Sequence, residues 1–160
     1  VGRHLKVMLP MVTVAAELDE ARALFAAELE ALRVAGVPAA MPPLGIMVEV
    51  PAAALTIERL DADFYSIGSN DLVQYVMAAS RDAGGRVARL ADPLHPAVLE
   101  LIGRVVAHGR RSGRPVSLCG DMAADPACLA ALLDLGLDRV SVAAAALGRV
   151  KLAIRARRGP

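Results

Sequence analysis

The chain has 160 residues, 56% of them hydrophobic, with a net charge of +1 and two cysteines. That is apolar material for one buried core, and it excludes a disordered or disulfide-stapled chain. With aromatic residues at 2%, no tryptophan and nearly balanced charge, neither a nucleic-acid surface nor a membrane surface is expected.

The run Leu5-Lys6-Val7-Met8-Leu9-Pro10-Met11 predicts a short buried strand stopped by proline, ahead of a helix-start residue, Thr13. In the helix that follows, Leu18, Ala21, Phe25, Leu29 and Leu32 recur every three or four residues and turn one face to a core, until Gly36 and Pro38 end it. A strand from Gly45 to Val50 then precedes a helix from about Ala52 to Leu60. Another strand, Asp63 to Ile67, precedes a helix from about Asp71 to Ala79. After a polar loop, Pro96 opens a helix to about Ser112 with Val98, Leu101, Ile102, Val105 and Val106 inward. Strand Pro115 to Leu118 leads to a helix across Asp125 to Leu135, where Asp125-Pro126 supplies an N-cap and a first-position proline. A last strand, Arg139 to Val142, leads to a helix from about Ala145 to Arg157. The basic Arg155-Ala156-Arg157-Arg158 stretch reads as its solvated end.

Continuous apolar strands separated by helices indicate an α/β fold with a parallel sheet covered on both faces. About five β/α units are present, whereas a closed barrel takes eight strands and roughly 250 residues. An open doubly wound sheet fits five strands, but Pro10-Met11-Val12-Thr13 lacks the glycines of a dinucleotide loop. The expectation is therefore a partial (β/α)8 TIM barrel, about its last five units, as one carboxy-terminal domain over residues 1–160. Cys119 and Cys128 lack CxxC spacing, no signal peptide opens the chain, and no apolar run reaches the ~20 residues of a membrane helix. A soluble cytoplasmic protein is expected.

Chemistry concentrates where the apolar runs end. Gly45-Ile46-Met47-Val48-Glu49-Val50-Pro51 delivers Glu49. Ser66-Ile67-Gly68-Ser69-Asn70-Asp71-Leu72-Val73-Gln74-Tyr75, continuing to Arg81, delivers an amide and a hard oxygen ligand. Pro115-Val116-Ser117-Leu118-Cys119-Gly120-Asp121 delivers Cys119 and Asp121. Polar groups at the carboxyl ends of successive parallel strands are the layout of a barrel active site, here one able to grip a metal-bound anion. From the residues alone, other readings stay open. Glu49 is a ligand or a cap for the next helix, and Asn70-Asp71 a ligand pair or an N-cap pair. Arg81 is a ligand or a surface arginine, and Cys119 a reactive thiol or a small core residue. Cys128, Met8, Met11, Met47, Met77 and Met122 read as core, and His95 as a turn residue. His4 and His108 have no supporting constellation.

At these residues the chain resembles the phosphoenolpyruvate-utilising enzymes, and within them the carboxy-terminal domain of enzyme I of the bacterial sugar phosphotransferase system. The resemblance runs from about Leu5 to Ile154 through five blocks in the family's order. These are Leu5 to Met11, Gly45 to Pro51, Ser66 to Arg81, His95-Pro96-Ala97-Val98-Leu99 and Cys119-Gly120-Asp121-Met122-Ala123. It implies that Glu49 and Asp71 hold Mg²⁺, that Asn70, Asp71 and Arg81 bind phosphoenolpyruvate, and that Cys119 is the acid protonating the enolpyruvate carbon. Two positions depart from enzyme I: Ser80 stands where it usually has aspartate, a pairing reminiscent of pyruvate phosphate dikinase, and Asp121 where it usually has glutamate.

The implied function is a phosphotransferase that moves the phosphoryl group of phosphoenolpyruvate to a protein histidine and releases pyruvate, feeding sugar uptake or its regulation. The implied partners are a phosphocarrier protein, reached through a separate amino-terminal domain, and a second copy in a homodimer. The chain alone is expected to be inactive, because the family's other phosphate-binding arginines and its phosphohistidine would precede Val1. The competing readings are pyruvate phosphate dikinase or phosphoenolpyruvate synthase, and a non-catalytic dimerisation or regulatory module.

Overall fold

Four apolar runs pair in chain order, all parallel, as β1 (Val7–Leu9), β2 (Leu44–Val48), β3 (Tyr65–Gly68) and β4 (Val116–Cys119). They are seen in a computed structural model that describes residues 5–80 and 87–158. Helices α1 (Ala15–Val34), α2 (Pro51–Leu55), α3 (Ser69–Met77) and α4 (Pro96–Ser112) carry the crossovers, and α5 (Pro126–Asp134) and α6 (Leu147–Arg158) follow β4. A helix in each crossover returns the chain to the same end of the sheet, which makes neighbouring strands parallel. The expected α/β architecture is present, and the sheet is open, as in part of a barrel.

β2 and β3 are the central strands, and Ile46, Val48 and Ile67 are wholly buried between helical layers. Val98, Ile102 and Val105 of α4 join them, with Leu72 of α3, Leu118 of β4 and Leu132 of α5. Asp125 caps α5 as its sequence predicts, accepting from the amides of Ala127 at 2.8 Å and Cys128 at 2.9 Å, and Cys128 is buried. His95 caps α4, its Nδ1 accepting from the Ala97 amide at 3.2 Å.

The margins of the sheet depart from expectation. The fifth strand, predicted over Arg139 to Val142, is reduced to one bridge between Leu118 and Val140, with Ser141 donating to the Leu118 carbonyl at 2.8 Å. The Leu118 amide also donates to the Arg139 carbonyl at 3.1 Å, and among the described residues no further pair extends the ladder. At the other edge β1 is half exposed rather than buried, and Met8 is 39% exposed. Helix α1 buries Leu18 but leaves Leu32 exposed, because only its first half overlies the sheet. Its N-cap is Val14 rather than Thr13, and the Glu17 carboxylate accepts from the amides of Thr13 at 2.6 Å and Val14 at 2.9 Å. Helix α2 stops at Leu55 and resumes as a 3₁₀ turn, Ile57–Arg59. The Thr56 hydroxyl bonds back to the Ala52 carbonyl at 2.8 Å, a contact that bends helices.

Helix α3 starts two residues earlier than predicted, directly from β3, with Gly68 as its N-cap and no side-chain cap. Asn70 and Asp71 therefore lie inside the first turn, and the reading of them as an N-cap pair is set aside.

Candidate active site

Parallel register alone lines up the candidate groups. Val48 pairs with Ile67 and Gly68 with Cys119, so Glu49, Gly68 and Cys119 form one row across the carboxyl edge of the sheet. Asn70 and Asp71 rise from the same edge in the first turn of α3. The structure thus brings together Glu49, Asn70, Asp71 and Cys119. Arg81 lies outside the described residues.

Glu49 is the most constrained of them, being only 3% exposed. Its Oε1 accepts the Met11 amide at 2.7 Å, and its carboxyl group is within hydrogen-bonding reach of Asp71. Met11 is 45% exposed rather than core, and it adopts a left-handed conformation, φ 56°, that aims its N–H at Glu49. Such a backbone is uncommon for a residue with a Cβ and tends to collect at functional sites. Gly68 is needed for approach: a Cβ there would stand 2.6 Å from Glu49 Oε2 and 2.9 Å from Glu49 Cβ. Burial pushes the Glu49 carboxyl above its ordinary range, the Met11 amide pulls it partly back, and Asp71 raises it further by its charge and hydrogen bond. Among the described residues no lysine or arginine forms an ion pair with either carboxylate.

A buried carboxylate beside a second one is a donor set suited to a hard divalent cation. Among the described residues no three His, Cys, Asp or Glu side chains gather into a metal cluster, so the protein's share here is two carboxylates. That fits Mg²⁺, which is commonly held by one or two carboxylates with substrate oxygens and water completing its shell.

The thiol side is built by serines and an amide. Cys119 is partly exposed, its Sγ 3.6 Å from the Ile67 carbonyl and 4.0 Å from the Ser66 hydroxyl. Ser69, fully buried, donates to the Cys119 carbonyl at 2.8 Å. Asn70 Oδ1 accepts the Asp121 amide at 2.8 Å, which leaves its Nδ2 as the donor for a ligand. Between these contacts Gly120 takes φ 104° and ψ −173°, a region used almost only by glycine. A Cβ on Gly120 would collide with the Ser69 hydroxyl and stand 2.7 Å from Asn70 Oδ1.

Ser66, Ser69 and the Met11 amide are parts of this site that sequence reading does not single out. Serines inside a strand-to-helix run, Ser66-Ile67-Gly68-Ser69, were the available signal, since a buried hydroxyl needs a partner. Two histidines have structural contacts: His95 caps α4, and His108 packs edge-on against Tyr65 with Nε2 3.1 Å from the phenol oxygen. Burial lowers the His108 pKa from its ordinary value. His4 lies outside the described residues.

An open parallel sheet with carboxylates, an amide and a thiol at its carboxyl edge has the layout of a barrel-type site. The chain belongs to the phosphoenolpyruvate-utilising enzymes: the family model described as "PEP-utilising enzyme, PEP-binding domain" matches residues 1–158. It is 44% identical over 147 residues to the phosphoenolpyruvate-protein phosphotransferase of Bacillus sp. (strain S), covering 90% of this chain and 25% of that protein. To the protein of the same name from Haloferax volcanii it is 43% identical over 155 residues, covering 96% of this chain and 27% of that one. The chain thus spans about a quarter of the length of these relatives. Among solved structures, a citrate lyase from Burkholderia xenovorans superposes with a TM-score of 0.65 at 20% identity, over 94% of this chain and 48% of that one. The malate synthase of Haloferax volcanii gives 0.63 at 13%, over 94% and 44%. These two likenesses concern the fold, which in both is barrel-like.

Proposed function

We propose that this chain forms the phosphoenolpyruvate site of a phosphoenolpyruvate-protein phosphotransferase. The observation that carries the reading is the Glu49 and Asp71 carboxyl pair, at the sheet edge where Glu49 stands in one row with Gly68 and Cys119, in a chain of this family. Glu49 and Asp71 are the residues that would hold Mg²⁺, which when bound neutralises charge on the carboxylate and phosphate oxygens of the substrate. Asn70 Nδ2 donates to the phosphoryl group, and Arg81 adds a planar guanidinium fork. As the P–O bond to the enolpyruvate breaks and a P–N bond to a histidine forms, the enolate oxygen becomes a carbonyl. The methylene carbon then takes the Cys119 proton, giving pyruvate.

His95 is engaged in capping α4 and His108 packs against Tyr65, and the accepting imidazole is expected to come from a separate domain of the enzyme. A phosphocarrier protein downstream, a role in sugar uptake and a cytoplasmic setting belong to this proposal. The chain by itself is expected not to turn over. In the enzyme that contains this domain, Cys119→Ala should slow pyruvate formation by about 10²-fold or more while phosphoenolpyruvate affinity stays nearly unchanged. Transient kinetics with labelled phosphoenolpyruvate measures both, and an equal loss of affinity would mark Cys119 as a packing residue.

A homodimer is part of the same reading. Among the described residues β1 pairs with β2 on one side only, and Met8 within it and Leu5 just before it are exposed at 39% and 59%. An unpaired edge with apolar side chains invites another chain. Sedimentation of the purified chain should show dimers or larger assemblies, and a stable monomer would contradict the expectation.

A further inference from the structure

We infer that Ser69 is a positioning residue, which with Asn70 clamps both peptide groups flanking Gly120 and so holds the Cys119 thiol in fixed relation to the Asn70-Asp71 turn. The inference rests on the phosphotransfer reading for its catalytic consequence but not for the clamp itself. Two successive side chains of the first turn of α3 reach across to β4. The Ser69 hydroxyl donates to the Cys119 carbonyl at 2.8 Å, and Asn70 Oδ1 accepts the Asp121 amide at 2.8 Å. One bond fixes the peptide before Gly120 and the other the peptide after it. Ser69 is wholly buried, so water does not readily replace its contact, whereas the Asn70 bond lies at the exposed side of the loop. Gly120 lies against both side chains so closely that a Cβ would collide with them.

The mechanical consequence follows from the position of each group. Asn70 and Asp71 are the proposed anion and metal contacts, and Cys119 is the proposed acid. A rigid link between them sets the distance from thiol to substrate carbon when the anion is seated, and proton transfer is steep in that distance. Ser69 touches no reacting atom and works through the Cys119 backbone. The thiol's own contacts are weaker ones, its Sγ donating to the Ile67 carbonyl at 3.6 Å and accepting from the Ser66 hydroxyl at 4.0 Å.

The test has two arms. On this chain, Ser69→Ala should speed hydrogen exchange of the Asp121 amide and iodoacetamide alkylation of Cys119, located by mass spectrometry, each about tenfold. Ser69→Thr, which keeps the hydroxyl, should restore both rates. In the enzyme containing this domain, Ser69→Ala should lower kcat about ten- to a hundredfold with KM for phosphoenolpyruvate little changed, and Ser69→Thr should recover it. If Ser69→Ala folds poorly, Ser69→Cys keeps the volume with a weaker donor and should fall between serine and alanine. Wild-type exchange and alkylation rates in Ser69→Ala would overturn the clamp whatever the reaction is. A loss appearing only in KM would overturn the positioning role. An unsubstituted enzyme that transfers no phosphate from phosphoenolpyruvate would defeat the proposed function instead, and the first arm would still decide the clamp.

Discussion

Glu49→Gln is expected to raise the melting temperature of the metal-free domain near neutral pH, while reducing Mg²⁺-dependent turnover of the complete enzyme by roughly a thousandfold. Both effects come from one buried carboxylate. Glu49 is 3% exposed and faces Asp71, and burial and that second carboxyl hold its pKa above the ordinary range. Between the unfolded and folded pKa values the native state binds more protons. The stabilising contribution is therefore complete below the unfolded carboxyl pKa and is lost as pH rises through the folded one. Glutamine removes that loss. Its oxygen can still accept the Met11 amide, and its amide can donate to Asp71. The gain is expected to be full at about pH 8 and to shrink towards pH 4. Thermal melts across that range measure it. A variant less stable than the parent throughout would show Glu49 to be a well-compensated carboxylate and sink the metal argument.

Gly120→Ala is the second large effect. An alanine must either hold φ 104° and ψ −173°, at a cost of order 1–3 kcal/mol, or rotate and pull the loop away. Neither is free of collision, because its Cβ would press on the Ser69 hydroxyl and on Asn70 Oδ1. The combined destabilisation should be about 2–4 kcal/mol, and kcat should fall further than in Ser69→Ala because both clamp bonds break together. Urea unfolding of the chain and turnover of the complete enzyme measure the two quantities. Parental stability in the variant would show that the loop relaxes freely and that Gly120 is not the closure of the site.

Much of this arrangement is legible in the sequence, for a physical reason. Central parallel strands are buried on both faces and must be apolar throughout, so Gly45 to Val48 and Tyr65 to Ile67 announce themselves. The first polar residues after such runs, Glu49, Asn70, Asp71 and Cys119, then fall at one edge because β/α crossovers keep every strand pointing the same way. The helix at Pro96–Ser112 is equally plain, since five apolar residues at helical spacing have one face to occupy.

Local sequence by itself determined the elements, their order and the set of polar groups at the strand ends, because these depend on periodicity and on chain direction. Tertiary structure alone decided what depends on neighbours far along the chain. The Arg139 to Val142 segment has strand-like residues, yet its register against β4 gives a single bridge. Leu32 has the spacing of a core residue and lies exposed because no sheet runs beneath it. Asn70 and Asp71 read locally as a helix cap, but the approach of Asp121, fifty-one positions away, takes the Asn70 oxygen, and a glutamate from the neighbouring strand meets Asp71. Hydrogen-bond partners and burial set the protonation of Glu49 and the fixing of Cys119, and both arise only when the strands come into register.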